Sequence, residues 1–227
     1  MELKLINKEN LAGNVWAFRF QPKRPVNWTA GQYIKVELPH DNPDDEGISR
    51  YFTVSSAPYE GVIQITTRVT DSTFKKALAA LPEGGGLQLI KEPSGDFVWE
   101  DSDKPMVFIA GGIGITPFYS ILKQRHHDKQ PLKVLLIYGS RDDEVPFKEE
   151  LAQWQAADSG FKISYQVGIR LTPDVLKGIT PELNESLVYL SGPEPMVEDL
   201  GDQLKAAGLP EAQLKQDFFP NYTEANY

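Results

Sequence analysis

Cysteine is missing from all 227 residues. That excludes disulfides, thiolate zinc sites, a cysteine nucleophile and a cysteine-ligated iron–sulfur cluster. Histidine is scarce as well. Of His40, His126 and His127, the last two sit side by side in the polar run 124–130 and read as solvated. No metal site is expected. Positive charge is also short, with 23 Lys and Arg against 32 Asp and Glu and a net charge of -9. Such a chain repels phosphate backbones, so no nucleic-acid partner is expected, although a single cleft can still be basic. No apolar run approaches the about 20 residues needed to span a bilayer. The opening, MELKLINKENL, lacks the apolar core of a secretion signal. The expectation is a cytoplasmic protein that is not integral to a membrane.

The chain does contain enough apolar and aromatic residues for real cores, and their pattern changes along its length. In the first hundred residues, six short runs rich in β-branched and aromatic residues (LKLI, VWAFRF, YIKVEL, YFTVS, VIQITTRV and LQLI) are separated by turn signals such as Gly13-Asn14 and Thr29-Ala30-Gly31. Strands at that spacing predict a small antiparallel barrel or sandwich. One helix interrupts them over 73–81, with Phe74, Ala77, Leu78 and Leu81 on one stripe and Ser72 or Asp71 as its cap. Beyond about residue 101 the pattern becomes strand, helix, strand. MVFIAG, KVLLIYG, FKISYQV and SLVYLSG alternate with helical segments, one of them near 117–130. This predicts a parallel sheet covered on both faces. The expected fold is therefore β followed by α/β, in two domains, 1–101 and 102–227.

Two segments carry chemistry. Ala110-Gly111-Gly112-Ile113-Gly114-Ile115-Thr116-Pro117 follows directly on an apolar strand. A glycine-rich strand-to-helix turn lets backbone N–H groups approach a pyrophosphate at a helix N-terminus, with Thr116 as cap and Pro117 in the first turn. It is not the usual GxGxxG fingerprint, and glycines that merely permit a tight crossover remain the alternative. Arg50-Tyr51-Phe52-Thr53-Val54-Ser55-Ser56 gathers a guanidinium, two aromatics and three hydroxyls. Alternation sends Arg50 and Phe52 to one face and Tyr51 and Thr53 to the other. Arginine suits a bidentate grip on phosphate and an aromatic beside it packs on a flat heterocycle; an ordinary strand with core aromatics is the other reading.

Together the segments resemble the ferredoxin–NADP reductase superfamily of flavoproteins. The family's Arg-x-Tyr/Phe-Ser/Thr flavin motif is met by Arg50-Tyr51-Phe52-Thr53, and its Gly-Gly-x-Gly-x-Thr-Pro signature by residues 111–117. Its Cys-Gly-Pro element appears as Ser191-Gly192-Pro193, with Met196 beyond. The resemblance covers essentially the whole chain. It implies an N-terminal antiparallel flavin-binding barrel, a Rossmann-like nicotinamide-binding domain, FAD as cofactor, NADH or NADPH as co-substrate, and no metal. It implies that Arg50 holds the flavin pyrophosphate, that Tyr51 and Phe52 line the flavin with Phe52 against its aromatic system, and that Thr53 bonds near its ring or ribityl chain. A second flavin segment falls on Thr66, Thr67, Arg68 and Val69, and a helix start at Ser72 and Thr73 touches the pyrophosphate. The Gly-x-Phe element at the end of the barrel corresponds to Ser94-Gly95-Asp96-Phe97, read as structural. Gly111, Gly112, Ile113, Gly114, Thr116, Pro117, Gly192 and Pro193 belong to the nicotinamide site.

One departure from the family matters. Ser191 stands where relatives often place a cysteine by the nicotinamide, keeping size but losing thiol polarisability. Some relatives also shield the flavin with a terminal aromatic, for which Tyr222 and Tyr227 are the candidates. The catalytic set implied is Thr53, Ser191 and Tyr227. Ser140 and Arg141 suit a 2′-phosphate, whereas Asp142 and Asp143 repel one and accept from a free 2′-hydroxyl; the balance leans slightly to NADH. The electron acceptor is expected to be a small molecule or a separate redox protein. Two alternatives stand beside the reductase: a non-catalytic redox regulatory subunit, and a flavin reductase that uses free flavin as substrate.

Overall fold

The computed structural model describes residues 1–219. Its N-terminal half is a curled six-stranded antiparallel sheet, a half-barrel. The strands are β1 (Glu2–Ala12), β2 (Val15–Pro22), β3 (Tyr33–Glu37), β4 (Ser49–Thr53), β5 (Ile63–Arg68) and β6 (Gly86–Ser94), in the order β4-β3-β6-β1-β2-β5. Alternation sorts the side chains. Leu3, Leu5, Phe18, Phe20, Ile34, Val36, Phe52, Ile63 and Ile65 turn inward to one core. Register irregularities in β1 at Leu5/Asn7 and Asn10/Ala12 bend the sheet, as extra residues in one strand do. The edge strands β4 and β5 meet where Ser55 N–H donates to the Gln64 carbonyl at 2.9 Å.

Helix α1 (Thr73–Ala80) closes this core with Phe74 and Leu78. The expected local cap is not used. The Ser72 side chain makes no cap bond, and Asp71 is exposed and paired with Lys76. The cap comes from a distant loop instead: Asp44 Oδ2 accepts from Thr73 N–H at 3.1 Å. Sequence-local rules cannot find a cap donated from 29 residues away.

The second half is a parallel sheet of β7 (Met106–Gly111), β8 (Val134–Ser140), β9 (Lys162–Val167), β10 (Leu187–Pro193) and β11 (Leu214–Phe219), ordered β11-β10-β7-β8-β9. Every residue of β7 is buried. Met106, Phe108 and Ala110 face α2 (Ile115–His127) and α3 (Lys148–Ala157), while Val107 and Ile109 face α4 (Pro173–Ile179) and α5 (Glu194–Ala206). That two-sided burial explains the unbroken apolar run. Phe97 and Ala30 from the half-barrel side join the α2 core, so the two halves share apolar packing.

Candidate functional site

A cavity of about 1080 Å³ opens between the half-barrel and the last strand of the parallel sheet. That is at the upper end of small-molecule and cofactor sites, roughly 300–1,000 Å³. Tyr33 and Lys35 of β3, Arg50, Tyr51, Phe52 and Thr53 of β4, and Ser72 and Lys75 at the start of α1 form one side. Gln216, Asp217 and Phe218 of β11 form the other. The β4 alternation is as expected: Phe52 lies beside Ile34 and Arg50 beside Val36, while Tyr51 lies beside Lys35 and Thr53 beside Tyr33. Phe52 is buried against Phe74, with ring centroids 5.8 Å apart. Tyr51 is exposed and meets Tyr33 edge to face at 5.7 Å.

The Arg50 guanidinium is held by Asp44 at 2.5 Å and Glu46 at 2.9 Å. The Asp44 carboxylate also accepts from Thr73 N–H, Thr73 Oγ1 and Ser72 Oγ. Burial raises its pKa, but the hydrogen bonds from Arg50 and Thr73 outweigh burial and hold it at about 2. This carboxylate is a stand-in anion. It shows that Arg50, Ser72 and the N-terminus of α1 converge on one negatively charged group, as a flavin pyrophosphate would require.

Thr66, Thr67, Arg68 and Val69 lie on or just beyond β5 and outside the walls of this cavity. Thr66 shares a buried hydroxyl contact with Ser55 at 2.8 Å. Arg68 is buried and donates to Asn14 Oδ1 at 2.8 Å. Its Nε is buried without a partner among the described residues, so the group still has a donor to give.

The nicotinamide motifs meet at the carboxyl ends of β7 and β10. Between these adjacent strands the chain order reverses, which is where open α/β sheets bind dinucleotides. A Cβ on Gly114 would collide with the Ser191 carbonyl and stand 2.7 Å from Gly192 Cα; one on Gly111 would stand 2.9 Å from Met196 Cε. These glycines let the two backbones come into contact, and Gly112 adopts φ +45°, a conformation that favours glycine. Pro193 is the N-cap residue of α5.

The helix after the glycines starts earlier than expected. Residues 112–114 form a 3₁₀ turn and α2 begins at Ile115 with Gly114 as its N-cap residue. Thr116 is therefore not the cap. Its hydroxyl donates to the Ile113 carbonyl at 3.1 Å, inside the turn. Ser191 is fully buried and its Oγ has no partner among the described residues, nor has that of Ser140 at the end of β8. Two orphaned hydroxyls beside the glycine turn are the donors and acceptors a nucleotide would satisfy. Arg141 is exposed just beyond β8. Tyr222 and Tyr227 lie outside the described residues.

Asp217 escaped sequence reasoning. It is partly exposed in the cavity wall, and burial, with the like charge of Asp96, pushes its pKa up to about 7. The available signal was a lone carboxylate in an aromatic strand end. Asp44 and Glu46 leave no such signal, because nothing local marks a loop carboxylate as an arginine's partner.

Residues 2–99 match the oxidoreductase FAD-binding domain family and residues 108–202 the oxidoreductase NAD-binding domain family. The chain belongs to the FAD- and NAD-binding ferredoxin reductase superfamily. Among curated members, it is 26% identical over 92% of its length to flavohemoprotein A of Dictyostelium discoideum, of which it spans 57%. It is 27% identical over 92% of its length to NADH-cytochrome b5 reductase 1 of Emericella nidulans, of which it spans 74%. Its fold matches the flavohem-like FAD/NAD-binding domain of nitric oxide dioxygenase from Vibrio cholerae, with a TM-score of 0.80, 21% identity, and 96% and 98% of the two chains covered. It matches a Neisseria gonorrhoeae ferredoxin NADP+ reductase equally well, at 0.80, 21%, 96% and 98%. Among the described residues of this superfamily member no helix is long and apolar enough to cross a membrane.

Proposed function

We propose that the chain is an FAD-dependent reductase that takes hydride from NADH or NADPH and passes electrons to a separate acceptor. In this reading residues 1–101 hold the flavin and 102–227 the nicotinamide. One observation carries it: the cavity that offers the flavin motif on one wall is closed on the other by β11 of the nucleotide-binding sheet. A group held there would lie between both sets of residues. Bound flavin supplies the redox chemistry, accepting hydride from the nicotinamide and releasing electrons onward.

The chain's own residues bind and orient. Arg50, Ser72 and Thr73 supply donors to the pyrophosphate, Tyr51 and Phe52 the apolar surface for the ring system, and Thr53 a hydroxyl beside it. Thr66, Thr67, Arg68 and Val69 complete the flavin-binding edge. Gly111, Gly112, Ile113, Gly114, Thr116, Pro117, Gly192 and Pro193 shape the nucleotide crevice, and Ser191 offers its free hydroxyl to the nicotinamide. Ser140 and Arg141 read the adenosine ribose, with Asp142 and Asp143 tilting the balance to NADH. Tyr222 and Tyr227 are the candidates to cover the flavin, with Thr53, Ser191 and Tyr227 nearest the chemistry. The acceptor is a small molecule or a separate redox protein.

Purified protein should be yellow, and the flavin released by heating should chromatograph as FAD. Anaerobic NADH or NADPH should then bleach the flavin absorbance in a stopped-flow trace. A fully loaded protein that neither nucleotide bleaches would instead be a redox regulatory binder.

A further inference from the structure

The flavin cavity already contains an anion of its own. Asp44 Oδ1 accepts from Arg50 Nη2 at 2.5 Å, and Asp44 Oδ2 from Thr73 N–H at 3.1 Å, Thr73 Oγ1 at 3.0 Å and Ser72 Oγ at 3.3 Å. A guanidinium, a helix N-terminal amide and two hydroxyls are the donors a pyrophosphate would need. The rest of Arg50 is spoken for as well. Nε pairs with Glu46 at 2.9 Å, and Nη1 reaches the carbonyls of Glu46, Gly47 and Ser49 at 2.8–2.9 Å. One Nη2 hydrogen is all that remains.

Two anions cannot occupy this donor set together. At contact distance an ionised carboxylate and a pyrophosphate repel each other strongly in a partly buried site. The element that carries Asp44 is free to give way. No residue from Pro39 to Arg50 is buried, so moving this loop exposes little apolar surface. It is pinned instead by polar contacts to the start of α1, among them Asp44 N–H to Thr73 Oγ1 at 3.0 Å and His40 Nε2 with Thr73 Oγ1 at 3.1 Å.

We propose that Asp44 is an internal competitor for the flavin pyrophosphate: the two share one donor set, so the loop must swing out and release Arg50 and the start of α1 for FAD to seat. This rests on the flavin reading above. Asp44 neutralises Arg50 whenever no phosphate does, so Arg50 is never left without an anion. A ligand that brings its own phosphate replaces that charge, whereas riboflavin does not. The loop therefore weakens the binding of phosphorylated flavins relative to riboflavin and slows FAD entry.

The sign of one substitution separates this from simple helix capping. Asp44→Asn and Asp44→Ser both retain a capping side chain but remove the charge. In full-length protein stripped of flavin, FAD binding is followed by quenching of flavin fluorescence. Both variants should bind FAD about tenfold more tightly and faster than wild type, the size of one charged hydrogen bond. Riboflavin affinity should be unchanged. The gain should vanish in an Arg50→Gln background, since Asp44 acts through Arg50. A second readout needs no variant: FAD should speed amide exchange over residues 40–47 of the wild type. FAD affinity that is unchanged or weaker in both variants, or exchange in the loop that slows on loading, overturns the proposal and leaves the flavin reading intact. If neither wild type nor Asp44→Asn binds FAD, the flavin reading fails and the proposal with it.

Discussion

At the scale of single residues, the cavity sets two carboxylates to opposite tasks. Asp44 is held ionised by Arg50 and Thr73, whereas Asp217 is pushed up to about 7 by burial and by Asp96. The sign of the second effect on stability follows from linkage. An unfolded Asp217 loses its proton near pH 3.8, but the folded one keeps it until about 7. Between those values the folded state binds more protons, so rising pH costs stability, and above about 7 the cost is constant. Asp217→Asn removes the titration. Denaturant melts of wild type and variant from pH 5 to 8 should show the Asn form gaining relative stability as pH rises. A constant difference across that range would place Asp217 in water, away from Asp96.

At the scale of elements, the β7-to-α2 turn and the end of β10 form one unit, because their backbones touch. Gly114→Ala puts a methyl group against the Ser191 carbonyl and Gly192 Cα, atoms that have no rotamer to escape into. Overpacking of this kind costs about 2 kcal/mol. The variant should melt at lower temperature and lose NADH affinity, while its FAD content, which depends on the other half, stays near that of wild type. Loss of FAD alongside NADH would mean that the two sites are not separable at this turn. The short 3₁₀ segment before α2 has the same origin. The chain must fold tightly to bring Gly114 under Ser191, and that long-range contact displaced the helix start from the cap that Thr116 offered.

At the scale of the molecule, the two halves are bolted together beside both sites. The turn after β4, residues 55–60, packs on α2, the helix that follows the glycine-rich turn. Ser120 Oγ donates to the Ser56 carbonyl at 2.7 Å, and Tyr59 stacks on His127 at 3.7 Å. His127 is thus exposed but engaged. Glu60 pairs with Arg19 at 3.0 Å and with Lys123 at 3.4 Å, and Lys123 reaches the Tyr119 hydroxyl at 3.0 Å, which in turn donates to Glu150. The Glu60 side chain is only 9% exposed and keeps Arg19, so removing Lys123 takes away one of its two cations, the one across the interface. Lys123→Met should cost about 1 kcal/mol, because Arg19 still compensates Glu60. It should also slow bleaching of the flavin by NADH more than it changes the affinity for either ligand. Adding Glu60→Leu should cost less than it does in wild type, because its contact with Lys123 is already gone, although Arg19 and the Ala57 N–H still lose their acceptor. Additive losses in the double variant would show that Lys123 and Glu60 do not act together.

Periodicity by itself determined the two-part architecture, because strand alternation and the strand–helix rhythm are local consequences of which side must be buried. The positions of Arg50, the glycines at 111, 112 and 114, and Ser191-Gly192-Pro193 were equally legible, because tight turns and strand ends leave a mark in composition. What tertiary structure decided was who meets whom. Asp44 caps α1 from 29 residues away and takes the arginine's charge; Asp217 comes round on the last strand to face the flavin strand; Lys123 finds Glu60 across the interface. These pairings join residues far apart in the chain. Nothing in the local spacing encodes them, since they exist only once the half-barrel and the parallel sheet have packed.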